Sequence, residues 1–163
     1  MERRVEALVV GGGLAGLSAA YFLARRGLRP WVLEREAPLS CTSDKSTEAY
    51  RLFWPGDEDL AALVRESLDL LSPFAGVARP NRRGYLYVGR LEALEAMALE
   101  APHAGPLRVH REAATYPKEA ASGLDLLLPG ALGEVFPYLG HLRGLGGLHV
   151  RPAPGVTGAP QMD

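Results

Sequence analysis

The 163 residues carry 18 Lys and Arg against 19 Asp and Glu, a net charge of −1, and are 47% hydrophobic and 23% charged. That composition is globular, with chain enough for a real core. It argues against nucleic acid or an acidic membrane surface as partner, and no apolar run approaches the ~20 residues that span a bilayer.

From Val5 to Val10 the chain is apolar and β-branched, and it then enters Gly11-Gly12-Gly13-Leu14-Ala15-Gly16. Gly11-x-Gly13-x-x-Gly16 at a strand–helix junction is the dinucleotide fingerprint. The first glycine permits the tight turn, the second lets backbone approach a pyrophosphate, and the third lets helix pack on strand. Leu14 to Arg26 predicts a helix with Leu17, Ala20, Tyr21 and Ala24 along one face, stopped by Gly27. Pro30 opens a second strand, Trp31-Val32-Leu33, which ends on Glu34. An acid about 20 residues beyond the glycines is where a βαβ unit binds the ribose of an adenosine. The same carboxylate would repel a 2′-phosphate.

Arg35 to Gly56 shows no persistent period, and Ser40-Cys41-Thr42-Ser43-Asp44-Lys45-Ser46-Thr47 is dense in hydroxyls. It reads either as a plain soluble loop or as one that runs along the cofactor. Arg51 sits among Tyr50, Phe53 and Trp54. It could clamp a substrate carboxylate, or make an ion pair or a stacking contact. Pro55-Gly56-Asp57 is turn chemistry before an amphipathic helix with Leu60, Leu63, Val64, Leu68 and Leu71 on one face, ended by Ser72-Pro73.

The arginines of Arg79-Pro80-Asn81-Arg82-Arg83 read as a solvated turn. Tyr85-Leu86-Tyr87-Val88 alternates aromatic with aliphatic, which predicts a strand of an antiparallel sheet and a departure from the nucleotide domain. A helix over Leu91–Ala101 buries Leu91, Leu94, Ala98 and Leu99. Short strands follow at Leu107–His110 and Leu148–Val150, with an apolar run at Leu124–Leu128 that Pro129-Gly130 breaks. From Arg151 the Pro- and Gly-rich tail has no period. His103, His110, His141 and His149 lack ligand spacing, so no metal site is expected. The single cysteine, Cys41, excludes an internal disulfide and suits the cytoplasm.

A nicotinamide dehydrogenase would continue from Glu34 into further parallel strands. Here a hydroxyl-rich loop, a helix and an alternating strand follow, an order that favours FAD. Val9 to Ala20, Val32-Leu33-Glu34, Thr42 to Arg51, Ser67 to Leu71 and Gly84-Tyr85-Leu86-Tyr87-Val88 together resemble the FAD-dependent amine and amino-acid oxidoreductases, the D-amino-acid, glycine and sarcosine oxidases among them.

The resemblance implies an α/β fold. Residues 1–75 would be a Rossmann-like FAD-binding portion, residues 76–150 part of an antiparallel-sheet substrate domain, and residues 151–163 an irregular tail. It implies that Gly11, Gly12, Gly13, Leu14, Ala15 and Gly16 hold the pyrophosphate, Glu34 the ribose, and Arg35 the adenosine side. Thr42, Ser43, Ser46 and Thr47 would follow the flavin, and Arg51 would take a substrate carboxylate. The implied reaction is hydride transfer to flavin from a carbon bearing an amine. Glu48 stands where sarcosine-oxidase-like members often carry a basic residue. Family chains are much longer, so the expectation is an N-terminal half: a truncated enzyme, a subunit completed by a second chain, or a non-catalytic FAD- or nucleotide-binding module.

Overall fold

The computed structural model describes residues 4–45, 51–74, 84–119 and 122–151. The chain divides into two compact units, Met1–Thr47 and Glu48–Asp163, so the helix after the hydroxyl-rich loop belongs to the second.

The first unit is the βαβ element. Strands β1 (Ala7–Val10) and β2 (Pro30–Leu33) pair in parallel with Ala7 opposite Pro30 and Val10 opposite Leu33, and helix α1 (Leu14–Arg25) joins them. Arg26 and Gly27 end α1 with two backbone bonds, from Gly27 N–H to Ala24 O at 2.9 Å and from Leu28 N–H to Leu23 O at 3.2 Å. These satisfy carbonyls the last turn would otherwise leave open. Of the expected apolar face of α1, Ala20 is buried, whereas Tyr21 and Ala24 are exposed. Leu17 of that face is half-buried, and so are Gly16, Phe22 and Leu23.

The second unit is a four-stranded sheet in the order β3-β6-β5-β4: β3 (Tyr85–Gly89), β6 (Gly146–Arg151), β5 (Gly123–Leu127) and β4 (Leu107–His110). The sheet is mixed rather than antiparallel throughout. β3 and β5 run antiparallel to β6, but β4 and β5 are parallel. The segment between β4 and β5 is long enough for a crossover, which takes a dozen or more residues.

Alternation along the strands sends Tyr85, Tyr87, Leu124, Leu126, Leu148 and Val150 to one face, where they pack with Phe53 and with Leu94 and Ala98 of α3 (Leu91–Leu99). Leu86, Val88 and Leu127 line the other face, against Ala131 and Leu132 of α4 (Pro129–Val135). The apolar run does end before Pro129, which then opens α4, because its missing N–H falls where a helix start has no partner to offer.

Helix α2 (Glu58–Leu71) starts on Asp57, whose Oδ1 accepts from Leu60 N–H at 2.8 Å, with Glu58 and Asp59 in its first turn. Its buried residues are Ala61 and Leu68, whereas Leu63 and Leu71 are exposed. Likewise Leu99, expected in the buried stripe of α3, is 74% exposed. Leu94 and Ala98 stand one turn apart and meet the sheet, while Leu99 lies a further 100° around the helix. No helix among the described residues is long and apolar enough to cross a membrane. Arg151, expected to open the irregular tail, is instead the buried last residue of β6. The rest of that tail and the basic turn at residues 79–83 lie outside the described residues.

Candidate nucleotide and substrate sites

Gly11, at φ 105, turns the chain out of β1, and its N–H donates to Leu33 O at 2.8 Å. Gly13 caps α1 in an extended conformation, and Leu14, Ala15 and Gly16 form its first turn. A Cβ on Gly16 would lie 2.0 Å from Gly11 O, so only glycine lets the helix start this close to the turn. The exposed N–H groups and the positive end of the helix dipole gather here, and both favour an anion.

Glu34 follows β2 and reaches back. Its Oε2 accepts from Gly12 N–H, and its Oε1 accepts from Arg35 N–H at 2.7 Å and Glu36 N–H at 3.0 Å. Against the opposing effect of desolvation, the Glu36 and Gly12 bonds hold the carboxyl below its ordinary value and so favour the anion. Arg35 points to solvent and pairs with Glu36 at 3.3 Å.

Between these parts lies a cleft of about 140 Å³, lined by Gly13, Glu34, Ala37, Leu39, Cys41 and Thr42 among others. Gly13, Glu34 and Thr42, expected from sequence to hold one ligand, thus line one cleft. Ala37, Leu39 and Cys41 were not foreseen, since no residue type at these positions signals a cleft wall. Thr42 and Ser43 belong to a single 3₁₀ turn, Thr42–Asp44. Ser46 and Thr47 lie outside the described residues.

Arg51 belongs to the second unit. Its guanidinium stacks on the Trp54 ring at 4.0 Å from the centroid, and Trp54 Nε1–H donates to the Arg51 carbonyl at 2.9 Å. The stacking contact left open by sequence is therefore formed. Burial, and then Tyr87, raise the Tyr85 hydroxyl above its ordinary pKa, while the Arg51 charge opposes them. Tyr85 and Tyr87 stack at 6.5 Å and pack on the core beside Phe53. No cluster able to hold a metal occurs among the described residues.

The family model for FAD-dependent oxidoreductases of the DAO type matches residues 6–156. The chain belongs to this family. The family's cofactor is FAD, and the glycine turn, the Glu34 anion and the cleft between them suit the adenosine diphosphate part of such a dinucleotide.

L-proline dehydrogenase from P. horikoshii shares the fold, with a TM-score of 0.63 at 17% identity over 99% of this chain and 39% of that one. Two curated hydroxylases match shorter stretches. Aklavinone 12-hydroxylase DnrF of Streptomyces peucetius is 46% identical over 63 residues, 35% of this chain and 13% of the relative. RdmE of Streptomyces purpurascens is 56% identical over 39 residues, 24% of this chain and 7% of the relative.

Proposed function

We propose that the chain is the nucleotide-binding and substrate-contacting portion of a cytoplasmic FAD-dependent oxidoreductase that oxidises an amine or amino acid. Gly11 to Gly16 would cradle the pyrophosphate, Glu34 would bind the ribose with Arg35 beside the adenosine, and Thr42, Ser43, Ser46 and Thr47 would run along the flavin. The flavin, when bound, supplies the hydride acceptor. The observation that carries the substrate class is Arg51. Its guanidinium is braced on Trp54, and no ion pair joins it to a carboxylate among the described residues. A braced planar cation suits the bidentate grip of an amino-acid carboxylate.

A second reading is a module that needs further polypeptide for activity. Leu8, Val10 and Leu33 share one face of the parallel pair by register and are 52%, 80% and 50% exposed. Parallel sheets are normally covered on both faces. The chain spans 39% of the proline dehydrogenase and 13% of the DnrF hydroxylase.

The test is an anaerobic titration of the FAD-loaded chain with glycine, sarcosine, proline and D-amino acids, followed at the flavin band. Bleaching that is lost in Arg51→Ala supports the amine reading. If these donors leave the band intact and a reduced nicotinamide dinucleotide, added in a parallel titration, bleaches it, the amine reading is overturned in favour of hydroxylase-type chemistry. Stoichiometric FAD without bleaching by any donor supports the module.

A further inference from the structure

Both backbone groups of Gly12 are engaged by the segment that follows β2. Its N–H donates to Glu34 Oε2, and its carbonyl accepts from Leu39 N–H at 2.9 Å. Leu39 reaches Gly12 from a tight turn, Ala37-Pro38-Leu39-Ser40, in which Ser40 N–H donates to Ala37 O at 3.3 Å and Ser40 Oγ to the same carbonyl at 2.6 Å. Pro38 takes the first central position and Leu39 the second, with φ 63. This is the pattern of a type II turn, whose second central residue is normally Gly or Asn. Leu39 is the one non-glycine residue with positive φ among those described. A leucine holds that conformation only where its surroundings over-determine it. Here they do so through the bond to Gly12, at the wall of the cleft that also contains Glu34 and Gly13.

We propose that Leu39 is a positioning residue of the nucleotide cleft: its left-handed backbone latches the loop after β2 onto Gly12 and so presets the glycine turn and Glu34 before a ligand arrives. The proposal rests on the flavin reading for its ligand. A glycine-rich turn has more conformational freedom to lose than any other, so a turn ordered in advance binds more tightly.

The experiment is a substitution series in the full chain, Leu39→Gly, Leu39→Asn and Leu39→Val, with two readouts. One is the FAD dissociation constant by flavin fluorescence; the other is amide exchange at residues 12–15 without ligand. All three variants keep the N–H, but only Gly and Asn take a positive φ easily. The expected order follows backbone tolerance: Gly and Asn within about twofold of wild type, Val weaker by about tenfold with faster exchange. An order that follows side-chain apolarity instead, with Val equal to Leu and both tighter than Asn, makes Leu39 a cleft wall only and overturns the latch. Uniform values overturn it as well. If the wild type binds no FAD, the flavin reading fails, and exchange across the series still decides the latch.

Discussion

Asp125 gathers more side-chain bonds than any other residue described in the second unit. It is fully buried on β5, where Arg108 Nε reaches Oδ1 at 2.6 Å and Nη2 reaches Oδ2 at 3.2 Å. His110 Nε2 lies 2.9 Å from Oδ1, and Arg151 Nε donates to Oδ2. The two arginines continue outward, Arg151 to Pro117 O and Arg108 to Ser122 O, so one carboxylate ties the β4–β5 crossover to the sheet. Burial pushes the carboxyl up, but the bonds from Arg108, Arg151 and His110 outweigh it and hold it well below the ordinary aspartate value of 3.8. Through the acid range the unfolded chain therefore binds the proton more readily. The stabilisation is complete well above the unfolded value, is lost progressively as pH falls below it, and is gone once pH lies below the lower folded value. Asp125→Asn should cost roughly 3–5 kcal/mol in urea melts at pH 7, because it leaves the buried Arg151 guanidinium and the half-buried Arg108 guanidinium without their counter-charge. The deficit should shrink in strong acid, where the wild type loses the same charge.

Helix α3 shows how little of an apolar pattern need be buried. Leu94 and Ala98 are 3% and 4% exposed, while Leu99, equally apolar in sequence, is mostly in water. Leu94→Ala should cost about 2–5 kcal/mol through lost contact and the cavity left behind. Leu99→Ser should stay within about 0.5 kcal/mol of wild type. Equal effects in thermal melts would mean that both residues are packed. The reason is geometric: a helix of nine residues against one sheet face has room for one stripe, and the residue just past that stripe is left over.

At the scale of the molecule the two units differ in what supports them. Among described residues of the first, only Gly12 and Ala20 are buried, around a two-stranded parallel pair. The second holds the clusters around Leu126 and Leu132. A two-stranded sheet is marginal by itself, and local opening follows the density of buried apolar contact. Hydrogen exchange should therefore reach the amides of β1 and β2 well before those of β5 and β6. FAD at saturating concentration should slow the first pair selectively, since a ligand that binds only the folded state adds its binding free energy to that state.

The βαβ unit was legible in the sequence because its determinants are local. A strand, three glycines, a helix, a strand and an acid each act within a few residues of themselves, and the tight Gly16 contact needs only the turn before it. The helix at Asp57 and the alternating strand at Tyr85 were legible for the same reason. Other features wait on tertiary structure because their partners come from elsewhere in the chain. Asp125 has meaning only between Arg108 and Arg151, on the two strands that flank β5. The parallel β4–β5 pairing depends on a crossover with no sequence period, and the positive φ of Leu39 depends on a carbonyl at Gly12. Sequence therefore determined the family and the nucleotide motif, through short-range geometry that no other residue types satisfy. Tertiary structure alone decided which apolar residues meet the core, which charges are buried, and how the glycine turn is held, since each is a contact between segments that no local rule brings together.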